Sequence, residues 1–216
     1  DFGLPARITT RVSAGRKGLI NVERESDMSG TTHTKGMLII AGFLQGKFAR
    51  EYPLSLSASV VFEQSYGGID GDSASSTELY VLLSALSDIP IRQDLAVTGS
   101  VNQFGEIQAI GGVNQKVEGF FRVCRGKGLT GTQGVMIPKS NIEDLQLRDN
   151  VIDAVRKGKF HIYPIEVIED GAELLMGTMA GERMPDGTYP ADTIYGKVDR
   201  RLRQMAETLR EFSYHD

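Results

Sequence analysis

The sequence has few of the residues that build disulfides or metal centres. It contains one cysteine, Cys124, and three histidines, His33, His161 and His215, in 216 residues. A single cysteine excludes an internal disulfide and is typical of a reducing compartment, so we expect a cytoplasmic protein. No two histidines lie at the spacing of metal ligands. His33 falls in a polar stretch that predicts a loop, and His161 falls in an apolar strand, where a structural role is expected.

Long apolar runs and an excess of positive charge are also missing. The net charge of -4 gives no general attraction for nucleic acid or for an anionic membrane. No apolar run approaches the roughly 20 residues that span a bilayer, so no membrane segment is predicted. There is no signal-peptide pattern, and the chain begins at Asp1 rather than at methionine. We therefore expect a fragment of a longer protein or a processed product.

Nucleotide and cation motifs are absent or out of context. The chain has no phosphate loop of the G-x-x-x-x-G-K-[ST] type, so it is not expected to hydrolyse nucleotides itself. Gly126, Gly128 and Gly131 match a dinucleotide pattern by letter, but they follow a predicted helix and precede a predicted strand, which reverses the required order. Asp70 and Asp72 resemble the start of a calcium loop that no later ligands complete. We expect neither a cofactor nor a metal in this chain.

Hydrophobic periodicity predicts an α+β protein with a mixed sheet and packed helices, because strands and helices do not alternate regularly. The predicted strands cover residues 7–12, 19–23, 54–62, 95–101, 106–110, 134–138 and 160–165. The predicted helices cover residues 37–48, 77–86, 113–124, 151–156, 172–176 and 195–212.

A glycine-rich turn at residues 67–76 joins a predicted strand to a predicted central helix. Its sequence is Gly-Gly-Ile-Asp-Gly-Asp-Ser-Ala-Ser-Ser, which favours a tight turn that brings Ser73 to the start of the helix. Ser73 could cap the helix, or it could be a nucleophile whose oxyanion is stabilised by the free N–H groups there. Ser75 and Glu78 have the spacing of a capping box.

A lysine is the candidate partner for this serine, because the three histidines give weak support for a triad. Lys116 follows Gly111 and Gly112, which permit close backbone approach, and stands at the edge of an apolar helix face. Burial there would favour the neutral amine that a general base requires. The alternative is a surface lysine that keeps its charge in water. Thr98, expected in the middle of a strand, could hydrogen-bond the amine and orient it, or could simply favour the strand.

Four separated segments carry a resemblance to a known family. They are Gly-Asp-Ser-Ala-Ser at 71–75, Val-Thr-Gly-Ser at 97–100, Gly-Glu-Ile at 105–107 and Ile-Gly-Gly-Val-Asn-Gln-Lys at 110–116. In this order they resemble the proteolytic domain of Lon-type ATP-dependent proteases, over residues 5–168. The Gly-Asp-Ser-Ala form resembles the B-type or Lon-like branch, since A-type enzymes carry Asp-Gly-Pro-Ser-Ala-Gly around the serine.

The resemblance implies a serine endopeptidase with a Ser–Lys dyad. Its nucleophile matches Ser73, its general base matches Lys116, and its supporting threonine matches Thr98, with the oxyanion stabilised by backbone near Asp72. It also implies the Lon protease domain fold, a ribosomal-protein-like α+β domain. We expect residues 1–180 to form this domain and residues 181–216 to extend it with a loop and an amphipathic helix.

The resemblance also implies partners beyond this chain. They are unfolded or damaged polypeptide substrates, further copies in a hexameric ring, and an attached ATPase module that uses ATP with Mg. The alternative is a scaffold that assembles the ring but has lost catalysis. A carboxylate paired with Lys116 would hold the amine protonated and switch the site off, and Glu63, Asp70 and Asp72 are the candidates for this regulatory hypothesis.

Overall fold

The structure, a computed structural model, describes residues 3–213. Its strands are β1 (Arg7–Ala14), β2 (Gly18–Asn21), β3 (Leu56–Glu63), β4 (Leu95–Val97), β5 (Ser100–Val101), β6 (Ile107–Gln108), β7 (Gly134–Pro138) and β8 (His161–Ile165). Its helices are α1 (Val22–Glu25), α2 (Thr31–Phe48), α3 (Ser75–Ser87), α4 (Val113–Lys127), α5 (Asp149–Arg156), α6 (Ile168–Met176) and α7 (Ile194–Ser213), with a 3₁₀ helix at Lys139–Asp144. Within the described range, no helix combines the length and the apolar character that a membrane crossing requires.

The strands form three small sheets. In the first, β3 lies between β1, which runs antiparallel to it, and β2, which runs parallel. The second contains the parallel strands β4, β7 and β8 in that order, and the third is the antiparallel pair of β5 and β6. The α+β architecture with mixed strand directions is therefore confirmed, with the strands divided among three sheets.

Helix α3 is the centre of the larger hydrophobic core. Leu79, Tyr80, Leu82 and Leu83 are all fully buried, which agrees with a sequence that is apolar on nearly every side of the helix. Helix α3 packs against β1, α6 and α7. On β3 the buried residues alternate with more exposed ones, as expected for a strand with one face on the core.

The C-terminal helix α7 contributes to this same core. Val198, Leu202 and Met205 lie on one face of the helix and are buried in the cluster that surrounds α3. The helix was predicted over 195–212 and occupies Ile194–Ser213. Its apolar stripe therefore covers the central helix rather than facing solvent.

A second, smaller core supports α4. Val117 and Phe121 of α4 pack with Ile137 of β7 and with Phe160, which precedes β8. The side chain of Met136, on the opposite face of β7, belongs to the larger core. Because successive side chains of a strand point to opposite faces, β7 and its neighbours form a wall between the two cores.

The predicted strand over 95–101 is wrong in its middle. It is divided into β4 and β5, which belong to different sheets, and Thr98 and Gly99 lie between them. The Gly99 N–H donates to the Ser73 carbonyl at 2.8 Å, and the Gly99 carbonyl accepts the Ser76 N–H at 3.2 Å. The backbone leaves the sheet at Gly99 because both backbone hydrogen bonds of this residue are made with the serine turn instead.

Helix α2 begins at Thr31, six residues before the predicted start at 37, so the loop expected around His33 is wrong. The Asp70 carboxylate accepts the N–H groups of Thr32 at 3.2 Å and of His33 at 3.4 Å. The carboxylate of a residue distant in sequence thus accepts the free N–H groups in the first turn of the helix. No local capping residue could have indicated this start.

Candidate active site

Ser73 lies at the end of a tight turn, directly before α3. Gly71 has φ +91°, a conformation that residues with a Cβ rarely adopt, and this lets the chain reverse before the helix. The capping interpretation of Ser73 is wrong, because Ala74 is the N-cap and no side chain caps the helix. The predicted capping box is wrong as well, since the Ser75 hydroxyl accepts the N–H of Val101 at 3.0 Å.

Lys116 reaches this serine from the first turn of α4. Its Nζ lies 2.8 Å from the Ser73 Oγ, and both side chains are half-buried. The alternative of a surface lysine with its amine in water therefore does not describe this side chain. Gly112 is the N-cap of α4 with φ +70°, whereas an added Cβ on Gly111 would meet nothing. The close backbone approach expected at the two glycines is absent, and Gly112 is needed for its backbone conformation.

Two effects act on the Lys116 amine. Burial lowers its pKa because the charged form loses hydration, and the nearby Asp72 carboxylate opposes this by favouring the charged form. The direction of the net change is downward, which increases the fraction of neutral amine at a given pH. A neutral amine adjacent to a serine hydroxyl can accept its proton.

The Ser73 carbonyl is held by the segment between β4 and β5. It accepts the Gly99 N–H at 2.8 Å and the Thr98 hydroxyl at 3.3 Å. Thr98 is buried, and within residues 3–213 its hydroxyl makes no hydrogen bond with Lys116. The expectation that Thr98 orients the amine is wrong for this arrangement, because the hydroxyl is directed to the serine backbone.

Backbone donors remain available beside the serine. The Asp72 carbonyl accepts the Ser75 N–H at 2.9 Å, which shapes the turn. Among the described residues, the N–H groups of Asp72 and Ser73 donate to no acceptor. Unsatisfied N–H groups at the start of a helix are suited to stabilising a developing negative charge.

The three candidate regulatory carboxylates have other partners. Glu63 accepts the Thr9 hydroxyl at 2.6 Å, Asp70 binds the start of α2, and Asp72 accepts the Ser100 hydroxyl at 3.0 Å. In the part of the chain that is described, no carboxylate forms an ion pair with Lys116. This arrangement counts against the hypothesis that a paired carboxylate switches the site off.

The histidines have structural surroundings. The His161 Nε2 lies 2.7 Å from the Gly131 carbonyl, in agreement with the structural role expected for it. His33 is buried on α2, with its Nε2 3.4 Å from the Glu78 Oε1. Sequence reasoning missed this pair, although Glu78 in an otherwise apolar helix was a signal of a buried carboxylate. His215 lies outside the described residues.

The glycine pattern at 126–131 ends a helix rather than beginning one. Gly128 follows α4 with φ +96°, and Gly131 lies in the loop before β7 with φ +87°. Between residues 3 and 213, no three His, Cys, Asp or Glu side chains converge in a way that could hold a metal ion.

Comparison with known proteins identifies the family. The model of the Lon protease (S16) C-terminal proteolytic domain matches residues 65–177, which include Ser73, Thr98 and Lys116. A Lon protease homologue of Haemophilus influenzae is 44% identical over 214 residues, which cover 99% of this chain and 36% of that protein. A Lon protease homologue of Escherichia coli K12 is 45% identical over 175 residues, or 81% of this chain and 30% of that protein.

More distant relatives agree with this assignment. The archaeal Lon protease of Pyrococcus abyssi is 34% identical over 157 residues, or 66% of this chain and 14% of that protein. The chain thus spans about a third or less of the length of these relatives. The chain belongs to the family of Lon protease C-terminal proteolytic domains, and this membership supports a protease function for it.

Proposed function

We propose that the chain is a serine endopeptidase domain in which Ser73 is the nucleophile and Lys116 is the general base. The observation that carries the proposal is the distance of 2.8 Å between the Lys116 Nζ and the Ser73 Oγ in a half-buried site. A catalytic base must lie within hydrogen-bond reach of the proton that it removes. The lowered pKa of Lys116, caused by burial, supports the role because the base must be neutral.

The proposed reaction begins with proton transfer. Neutral Lys116 takes the hydroxyl proton as the Ser73 Oγ attacks the carbonyl carbon of a peptide bond. The carbonyl oxygen becomes an oxyanion, which the free N–H groups of Asp72 and Ser73 stabilise. Protonated Lys116 then gives its proton to the leaving amine, and an acyl-enzyme on Ser73 remains.

The second half of the reaction restores the enzyme. Lys116 is again neutral and takes a proton from water, whose oxygen attacks the acyl carbon. The same N–H groups stabilise the second oxyanion, and the proton returns from Lys116 to the Ser73 Oγ as the carboxylic acid product leaves. Thr98 supports both steps indirectly, through its hydrogen bond of 3.3 Å to the Ser73 carbonyl.

Labelling with a fluorophosphonate tests the dyad. The parent chain should be labelled, Ser73→Ala should not, and Ser140→Ala, a change at an exposed serine, should behave like the parent. Lys116→Ala should slow labelling by at least about a hundredfold, the usual minimum contribution of a general base. Lys127→Ala, an exposed lysine at the other end of α4, is the matched control.

Casein cleavage provides the corresponding activity measurement. Cleavage should be lost in Ser73→Ala and Lys116→Ala and retained in the two controls. A parent chain that is neither labelled nor able to cleave casein would instead support a catalytically inactive scaffold. Labelling that persists in Ser73→Ala would refute the assignment of the nucleophile.

The whole protein is proposed to be an ATP-dependent Lon-like protease of the cytoplasm that degrades unfolded or damaged polypeptides as a hexameric ring. ATP and Mg would bind an ATPase module outside this chain, a view supported by the missing phosphate loop and by the greater length of the relatives. Light scattering would test for the ring.

We also propose that residues 181–216 complete the proteolytic domain of residues 1–180. The burial of Val198 and Leu202 of α7 beside α3 supports this.

A further inference from the structure

The segment that leads into β1 lies against the helix that carries Lys116. We call residues 3–6, which form this segment, the strap. The Gly3 N–H donates to the carbonyl of Gln115, a residue of α4, at 3.2 Å. The other residues of the strap are exposed, and Leu4 is 75% exposed. The strap therefore contacts α4 through the backbone of Gly3 and not through an apolar side chain.

Two glycines make this contact possible. A Cβ added to Gly119 of α4 would overlap the Gly3 carbonyl oxygen and would lie 2.6 Å from the Gly3 carbonyl carbon. A Cβ added to Gly3 would lie 2.5 Å from the Gln115 carbonyl oxygen and 2.7 Å from the Cα of Lys116. Real Cβ atoms essentially never approach other atoms within 3.0 Å. The strap can thus lie this close to α4 only while both residues are glycine.

The burial of Gly119 shows what the strap covers. Val117 belongs to the apolar stripe of α4, and Gly119 lies two residues later, about 200° around the helix axis. Gly119 is nevertheless buried. The three atoms nearest to its added Cβ all belong to Gly3, so the strap provides this cover. Lys116 lies three residues before Gly119 and therefore on the same face of the helix.

The strap also connects the two sides of the candidate active site. It continues into β1, whose first residue, Arg7, is paired with Glu63 at the end of β3. From that end of β3 the chain runs to the turn that carries Ser73. The strap therefore joins the strand that precedes the serine turn to the helix that carries Lys116.

Lys116 stands in the part of α4 that its own hydrogen bonds constrain least. Its N–H donates to the carbonyl of the N-cap Gly112 at 3.1 Å, and the N–H groups before it have no acceptor within the helix. Val113 and Val117 hold the inner side of this turn in the smaller core. The strap lies on another side, against the Lys116 Cα. The position of the lysine backbone is thus fixed from two directions.

We propose that Gly3 and Gly119 are positioning residues for Lys116. Their contact holds the strap against α4, and the strap keeps the lysine backbone where the Nζ reaches the Ser73 Oγ. The proposal rests on the proposed function of Lys116 as the general base. Neither glycine touches the substrate or the reacting atoms. A misplacement of about 1 Å can slow a reaction about a hundredfold, so a small shift of the strap has a large effect.

The rate of Ser73 labelling by a fluorophosphonate tests this role. In Gly119→Ala the new Cβ displaces the strap, and labelling should slow by about tenfold or more. Gly126→Ala is the matched control, because it lies seven residues later on the same face of α4 and its Cβ would meet nothing within 4 Å. Both substitutions favour the helix. Equal labelling rates in the two variants would overturn the proposal.

Gly3→Ala disturbs the same contact from the side of the strap. Its Cβ would collide with the backbone of Gln115 and Lys116, so labelling should slow to a similar extent. Leu4→Ala, in the same strap, should keep the rate of the parent. No residue of the strap belongs to either hydrophobic core, so a folding defect does not decide the result. A rate in Gly3→Ala that matches Leu4→Ala would count against the proposal.

A double-mutant cycle separates positioning from a general structural effect. Gly119→Ala should slow labelling in the parent chain but should have no further effect in Lys116→Ala, where the base has already been removed. A structural effect on the serine turn would slow labelling by the same factor in both backgrounds. That result would refute the positioning of Lys116.

Amide hydrogen exchange, followed by NMR on the whole chain, tests the contact without depending on labelling. The Gly3 amide donates to Gln115, so it should be protected in the parent and in Gly126→Ala and should lose this protection in Gly119→Ala. An unprotected Gly3 amide in the parent, or equal protection in the two variants, would refute the role of the strap.

The outcomes separate the two proposals. If Ser73 is never labelled, or if Lys116→Ala is labelled as fast as the parent, the dyad is refuted and the role of the strap with it. If the dyad behaves as proposed but Gly119→Ala and Gly3→Ala keep the rate of the parent, only the role of the strap is refuted.

Discussion

Thr98→Val tests whether the Thr98 hydroxyl supports the backbone of Ser73 or contacts the Lys116 amine. The substitution keeps the shape of the side chain but removes the hydroxyl that donates to the Ser73 carbonyl at 3.3 Å. That carbonyl keeps the Gly99 N–H at 2.8 Å, so no buried acceptor is left unpaired. We expect the free energy of unfolding to fall by about 0.5–1.5 kcal/mol, the net value of one hydrogen bond. If all of this is expressed in the transition state, the labelling of Ser73 slows about two- to tenfold.

The dependence of labelling on pH distinguishes the roles. The rate should rise as Lys116 becomes neutral, and the pKa that governs this rise is set by burial and by Asp72. Thr98 contributes to neither, so Thr98→Val should leave the midpoint of the rise unchanged. The assay is fluorophosphonate labelling from pH 6 to 10, with urea denaturation for stability.

A matched substitution far from the site controls for the loss of a threonine hydroxyl. Thr10→Val removes a bond of 2.8 Å from a threonine hydroxyl to the Ser59 carbonyl. It should lower stability by a similar amount and leave labelling unchanged. A shift of the Lys116 midpoint in Thr98→Val, absent from Thr10→Val, would show that Thr98 contacts the amine and would refute the assignment of its hydroxyl to the serine backbone.

Three further predictions concern the supports of the site. Gly71→Ala should slow labelling because φ is +91° there, whereas Gly67→Ala, in open space, should not; equal rates would contradict the need for that turn. Asn141→Ala should lower the free energy of unfolding in urea by about 1–3 kcal/mol, since the buried amide pairs with both the N–H and the carbonyl of Ile110; a smaller loss would contradict this. The free energy of unfolding of the parent should fall from pH 4.5 to about 8, because Glu78 releases its proton in the unfolded chain and keeps it in the folded one. Glu78→Gln should reduce this fall. Parallel curves of the two proteins in urea denaturation would contradict the raised pKa of Glu78.

The elements that carry Ser73 and Lys116 could be predicted from the sequence because their signals are local. The turn that precedes α3 is rich in glycine, and Lys116 stands on a helix with a clear apolar face. Their proximity could not be derived from periodicity, and it was expected only from the order of four motifs. The family is confirmed by the match over residues 65–177.

The features that the sequence did not reveal all depend on distant contacts. The chain leaves the sheet after the Thr98 N–H because the Ser73 carbonyl accepts the Gly99 N–H and the Thr98 hydroxyl. Helix α2 begins early because Asp70, more than thirty residues away, accepts its first N–H groups. His33 and Glu78 are paired only because α2 and α3 pack together. Local propensity contains no information about partners of this kind.

The distance between Ser73 and Lys116 depends on strand β7, to which neither residue belongs. Ser73 precedes α3 in the larger core, and Lys116 stands on α4, whose apolar face packs in the smaller one. Strand β7 separates the two, with Met136 on one side and Ile137 on the other, and the Met136 carbonyl accepts the Thr98 N–H at 3.0 Å. Because close-packed interiors transmit displacement, a cavity on either face of β7 should change the distance between the Ser73 Oγ and the Lys116 Nζ as well as the stability. The wall of parallel strands is therefore part of the support that the proposed dyad requires.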